Sequence, residues 1–182
     1  AKLEVIDGMG PNPQLPAPDK SLIPTVNVAK ATGWPDGEMP MAAPGFKVNA
    51  FAANLDHPRW MYVLPNGDVL VAESDAPPKP KDGDGIRGWV MKKVMKYAGS
   101  GSKSANRITL FRDTDNDGVA DQRSVFLDNL YSPFGMALIG DTFYVANTDA
   151  VVRFPYTSGE THIIAEGQKL ADLPAGPINH HW

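Results

Sequence analysis

Two groups of side chains in this chain are of a type and spacing that could do chemistry. The first is Asn179-His180-His181-Trp182, at the end of a Pro/Gly-rich stretch and holding two of the four histidines. Histidine titrates near neutral pH, so such a pair is suited to act as a general base or a ligand. The same pair also reads as a solvated tail or a tag remnant. The second group is Asp113-Thr114-Asp115-Asn116-Asp117-Gly118-Val119-Ala120-Asp121. Its carboxylates stand at positions one, three, five and nine with Gly at six. These are the first nine positions of a calcium loop, in which Asp113, Asp115, Asp117 and Asp121 offer carboxylates and Val119 its backbone carbonyl. Position twelve is Ser124 rather than Glu, and both flanks read as strands. The expectation is therefore a metal-clipped hairpin with weak or structural binding, against the plainer reading of a solvated Asp-Gly turn.

The elements that must position these groups read as short strands. Seventeen Gly and seventeen Pro in 182 residues punctuate the chain too often for long helices. Residues 1 to about 45 show no sustained apolar period and read as an extended arm. Phe46 to Ala52 then alternates. His57 to Leu64 reads as a buried strand, Pro65-Asn66-Gly67-Asp68 as a turn, Val69 to Ala72 as the next strand and Asn106 to Phe111 as another. Ser124 to Leu127 is again a strand. Ser132-Pro133-Phe134-Gly135-Met136-Ala137-Leu138 answers to the run from His57, Phe143 to Asp149 answers to Leu70 to Asp75, and Ala150 to Phe154 closes the unit. A third copy opens at Thr161-His162-Ile163-Ile164 and reaches the final histidines roughly 48 residues after Ser132, a blade-sized period. This predicts a β-propeller with blade 1 at 46–112, blade 2 at 122–156 and the start of blade 3 at 161–182. His180 would then open an innermost strand, at the mouth of the central channel. An ordinary antiparallel meander is the alternative.

Between the strands of blade 1, residues 76–105 read as an insertion. Trp89, Val90, Val94 and Tyr97 fall at helical spacing, with Lys92, Lys93 and Lys96 elsewhere on the wheel. A lid or packing helix is one reading, and a docking face for a membrane surface or an acidic electron acceptor is the other.

Composition sets outer bounds. The formal charge of -4 argues against nucleic acid or an anionic membrane as the main partner, since both need a basic excess. No apolar run is long enough to span a bilayer. Without cysteine, disulfide and thiolate chemistry are out. A start at Ala1 fits a mature protein after signal-peptide removal, and a trimmed chain would begin the same way, so a periplasmic or secreted location is an expectation that composition by itself leaves open.

The stretches LDHPRWMYVLPNGDVLVAES, IRGWVMK, SANRITLFRDTDNDGVADQRSVFLDNLYSPFGMAL, YVANTDAVVRFPY and DLPAGPINHHW, with the arm GPNPQLPAPDKSLIPTVN, closely resemble the sorbosone dehydrogenase family. Its members are similar to the soluble sugar dehydrogenases that use pyrroloquinoline quinone (PQQ) and fold as six-bladed β-propellers. The resemblance implies an all-β chain supplying about two blades and the start of a third, the remainder of the propeller coming from elsewhere. It also implies PQQ and Ca2+ as cofactors, a sugar or aldehyde substrate, and a cytochrome or quinone as electron acceptor. His180 looks like the base of the related enzymes, with His181 toward the channel wall or the cofactor, and Arg59 either facing the cofactor's carboxylates or standing at a strand end on the solvent rim. The glutamine that glucose-oxidising relatives place at the second inner strand has no match in Ser132-Pro133-Phe134-Gly135, so glucose is not implied. A propeller without redox activity, either a binding module or a calcium-dependent lactonase-type hydrolase, is the competing class.

Overall fold

Alternation along Val69–Glu73 (β2) puts Leu70 and Ala72 on one face and Val71 and Glu73 on the other, and the whole strand is buried or nearly so. Such a strand needs partners on both edges and cover on both faces. Pro58–Val63 (β1) pairs antiparallel along one edge and Arg107–Arg112 (β3) along the other. Gln122–Leu127 (β4) completes this first sheet against β3. Gly135–Ile139 (β5), Thr142–Ala146 (β6), Ala150–Pro155 (β7) and Gln168–Asp172 (β8) form a second antiparallel sheet in sequence order. A single helix, Ile86–Tyr97 (α1), lies between β2 and β3 in the chain. The computed structural model describes residues 9–14, 28–35, 37–77, 85–99 and 104–175, and these eight strands and one helix are the elements among them.

The two sheets face each other. Leu70, Ala72, Ile108, Leu110 and Phe126 of the first meet Phe143, Val145 and Phe154 of the second in one core. Phe143 is the hub, lying edge-on to Phe126 at 5.3 Å and to Tyr62 at 6.2 Å between ring centroids. Edge-to-face pairs of this kind contribute about 0.5–1.5 kcal/mol each beyond area burial. The first strands of the two sheets touch, and the Leu138 amide donates to the Tyr62 hydroxyl at 3.1 Å. Consecutive four-stranded sheets, stacked face to face with their first strands adjacent, are the arrangement of a partial propeller.

Three sequence expectations change. The strand at Ser124–Leu127, expected to open blade 2, instead closes the first sheet. The Asp121 amide bonds the Arg112 carbonyl at 2.9 Å and turns the chain straight back onto β3, and Phe126 then falls on the core face. Thr161–Ile164, expected to open a third blade, is not a strand. It lies along the outer edge of β4, where the Ile163 amide bonds the Phe126 carbonyl at 2.9 Å and the Ser124 hydroxyl bonds the Thr161 carbonyl at 2.8 Å. That occupies backbone groups an open edge would leave unpaired. The second sheet is instead completed by Gln168–Asp172, a polar edge strand exposed along its length and so without apolar alternation to betray it. Finally, β1 is not buried. Tyr62 points at the second sheet, but Met61 and Val63 on its other face are 69% and 62% exposed.

Candidate functional site

β1 and β5 run in the same direction, so His57 and Ser132, which precede them, come together at one end of the two sheets. β2 ends and β3 begins at this end too, which brings in Ser74, Asp75, Ser104 and Asn106. The His57 Nδ1 lies 2.7 Å from the Ser74 carbonyl oxygen, so a neutral ring carries its proton there. Its Nε2 lies 3.9 Å from Asp75 Oδ1. The Ser74 hydroxyl donates to the Pro133 carbonyl at 2.6 Å, and the Ser132 hydroxyl to the Asp75 carbonyl at 2.8 Å. These two bonds stitch one sheet to the next. Asn106 Oδ1 accepts from the Ser132 amide at 3.0 Å and from the Ser104 hydroxyl at 2.6 Å, while Ser104 Oγ accepts the Asp75 amide at 3.0 Å.

Three of these residues have positive φ: His57 at 53°, Asn106 at 53° and Ser132 at 44°. Non-glycine residues held there cost about 1–3 kcal/mol each and persist only where the surroundings over-determine them, often at functional sites. Sequence reasoning had passed over His57 and Asp75. The signal that could have found them is the repeat, in which His57 aligns with Ser132 and Ser74-Asp75 with Thr148-Asp149.

Arg59 follows two residues after His57. Its guanidinium lies 5.5 Å from the centroid of the Phe134 ring, which Trp60 flanks at 5.3 Å. A half-buried cation set on an aromatic face beside this end of the sheets has the chemistry to hold a carboxylate. His180 and His181 lie outside the described residues.

The Asp113–Asp121 loop sits at the opposite end, between the close of β3 and the start of β4. Gly118, at the sixth position, has φ 88° and its amide donates to Asp113 Oδ2 at 2.9 Å. The Asp117 and Val119 amides fold back onto the carboxylates of Asp115 and Asp117 at 3.2 and 2.8 Å. As a result, carboxylate oxygens of Asp113, Asp115 and Asp117 lie within 4.8 Å of one another. Asp113 Oδ1 is buried and has no hydrogen-bond partner among the described residues. An acceptor-only oxygen beside two further carboxylates fits a hard cation such as calcium.

Asp121 is not in that trio. Its Oδ2 accepts the Thr114 amide at 2.6 Å and the Thr114 hydroxyl at 2.7 Å, and these bonds hold its carboxyl below the ordinary value. Asp115 is shifted the other way. The Asp117 amide pulls it down, but desolvation and the charges of Asp117, Asp121 and Asp113 together push it up. The loop therefore gathers negative charge that a cation would neutralise.

Two arginine-centred clusters fix the sheet that carries both ends. Glu73 is 0% exposed and receives Arg107 through Nε and Nη2, both at 3.0 Å, with further bonds from the Thr109 hydroxyl and the Asp56 amide. Burial alone would raise its pKa, yet these donors outweigh it and hold the carboxyl below its ordinary value. Arg107 also reaches Asp56 at 2.8 Å, tying the segment that enters β1 onto the sheet. At the other end Arg112 grips Asp68 with two bonds of 2.6 Å and also donates to the Gly159 carbonyl at 3.1 Å. Arg112, and then Asn66, hold Asp68 below its ordinary value against the cost of burial.

The architecture, two stacked four-stranded antiparallel sheets and one helix among the described residues, is consistent with a partial β-propeller. The solved structure of the holo form of the pyranose dehydrogenase PQQ domain from Coprinopsis cinerea superimposes with a TM-score of 0.50 at 15% identity, over 76% of this chain and 26% of that one. The chain thus spans about a quarter of that domain, and at this identity the likeness is one of fold. Residues 39–164 match the family described as a domain of unknown function, DUF7133, and the chain belongs to that family. A search of curated proteins returns no match.

Proposed function

We propose that this chain is part of a PQQ-dependent oxidoreductase that oxidises a sugar-derived alcohol or aldehyde, of the sorbosone or aldose type. The observation that carries the reading is the shared fold with a PQQ domain, together with a cationic side chain, Arg59, at the end where both first strands begin. PQQ bears three carboxylates, and a guanidinium held at that end suits one of them. When bound, the quinone supplies a two-electron acceptor for hydride leaving the substrate carbon. The chain contributes the groups around it. His180 takes the substrate hydroxyl proton, and His181 and Arg59 face the cofactor. The network of His57, Ser74, Asp75, Asn106 and Ser132 holds the first two strand starts in fixed relation, so that groups projecting from them keep their geometry.

The Asp113, Asp115 and Asp117 carboxylates, with the Val119 carbonyl, form a second cation site. It is structural rather than catalytic, because it lies a full strand length, about 17–20 Å, from the strand starts. The remainder of the propeller covers the open face of the first sheet, where Met61, Val63 and Val125 are exposed. Electrons leave to a cytochrome or quinone, and the protein works in the periplasm or outside the cell.

The test is reconstitution of the full-length protein with PQQ and calcium. A cofactor absorbance that shifts with an aldose or sorbosone is expected. His180→Ala should lower turnover by about 10² to 10⁴ with quinone binding largely intact. No spectral change with any sugar would remove the oxidoreductase reading, and an unchanged rate would remove His180.

A further inference from the structure

A helix of twelve residues is marginal in water unless a face of it packs on something. Among the described residues α1 makes no broad contact with either sheet. One link to the rest of the described chain is a bond of 3.4 Å from the Ala31 amide to the Tyr97 carbonyl, with Ala31 beside Gly99. Gly85 caps its start without a side-chain bond. Trp89, Val90, Met91, Met95 and Tyr97 are all exposed, Trp89 by 58%. An element about 18 Å long that shows water this much apolar surface is built to lie against a surface.

Its charges say which surface. α1 contains no acidic residue, whereas the chain as a whole carries -4. Lys92, Lys93 and Lys96 are exposed, and among the described residues no carboxylate pairs with them. Val90, Val94 and Tyr97 form one line along the helix, with Trp89 on one flank and Met91 and Met95 on the other. Lys92 and Lys96 stand opposite, and Lys93 folds over the Trp89 ring at 4.0 Å. Trp and Tyr prefer the headgroup level of a bilayer, and lysine stems lie along apolar surface while their ammonium groups reach outward. An acidic protein surface would satisfy the lysines but leave the Trp, Val and two Met side chains in water. An anionic lipid surface takes both. We propose that α1 is an interfacial helix that docks this protein on an anionic membrane, with its apolar line in the headgroup–acyl boundary, Lys93 on the flank of that line reaching lipid phosphates, and Lys92 and Lys96 on the outer face adding to the attraction toward the anionic surface.

The test is flotation of the full-length protein with vesicles of phosphatidylcholine alone or mixed with phosphatidylglycerol. Partition into the mixed vesicles only is expected, reversed by high salt. The triple change Lys92→Gln, Lys93→Gln, Lys96→Gln should lower the partition coefficient about a hundredfold, given the attraction of each lysine to an anionic surface. Bromine-labelled lipid should quench a tryptophan signal that Trp89→Phe removes. An unchanged melting temperature shows that the variants remain folded. Equal partition into both vesicle types, none into either, or unaltered partition of the lysine variant would overturn the proposal. Lysine-dependent binding to an acidic cytochrome without vesicle binding would overturn it as well.

Discussion

Arg107→Ala should destabilise the protein by about 3 kcal/mol, because it leaves a fully buried carboxylate short of its main counter-charge. Arg107 gives Glu73 two charge-assisted bonds of 3.0 Å, and each such bond is worth about 1.5–3 kcal/mol. The loss is softened because Thr109 and the Asp56 amide still donate to Glu73, and Arg123 stands 3.7 Å away. Since the Arg107 side chain is only 26% exposed, water screens the pair weakly. For a protein of this size the loss corresponds to a fall of about 6–12 °C in melting temperature, or a urea midpoint lower by about 1–3 M at unchanged slope. Asp56→Asn is the internal control. That carboxylate is 64% exposed, and removing its charge should cost under about 1 kcal/mol. The pH dependence follows from the sign of the shift. Glu73 titrates below its ordinary 4.5 in the folded protein, so its contribution is present above that value and is lost as pH falls through the folded value. The gap between wild type and Arg107→Ala should therefore be widest near neutral pH and narrow in acid. A urea midpoint at neutral pH no lower than that of Asp56→Asn would refute the reasoning and reduce the buried pair to the worth of a surface one.

Calcium should raise the melting temperature, and Asp113→Ala or Asp117→Ala should abolish the part of the rise that persists without PQQ, since binding to the folded state alone stabilises by mass action; equal calcium responses in wild type and both variants would leave the loop a plain turn. Gly118→Ala should cost about 1–2 kcal/mol by forcing a side chain into φ 88°, and should weaken calcium binding because the Asp113 carboxylate is held by that residue's amide; differential scanning calorimetry and a calcium titration check both. Phe143→Ala should cost about 3–5 kcal/mol in urea unfolding, since the ring touches Phe126 and Tyr62 across the two sheets; a loss under about 1 kcal/mol would show that the sheets do not share one core.

Local chemistry was legible in the order of residues. Gly118 at the sixth position and carboxylates at alternate positions predict a tight loop, and the backbone duly gathers Asp113, Asp115 and Asp117. The apolar run of β2, the Asn66-Gly67 turn and the helical spacing from Trp89 to Tyr97 each reflect interactions over a few residues, so they could be read directly. Strand membership could not. Gln122–Leu127 belongs to β3 because a hairpin closes on it, and Gln168–Asp172 joins the second sheet by backbone pairing alone, which leaves no apolar signature in an exposed edge strand.

The clusters were decided by the tertiary structure as well. Glu73, Arg107 and Asp56 are distant in sequence, and no local pattern announces that a glutamate ending a strand will be fully buried and need two donors from the next strand. His57, Asp75, Asn106 and Ser132 meet only because successive four-stranded sheets stack with their first strands adjacent. A side chain's own type fixes what it can do, but its partners depend on which strand ends the fold brings to the same edge.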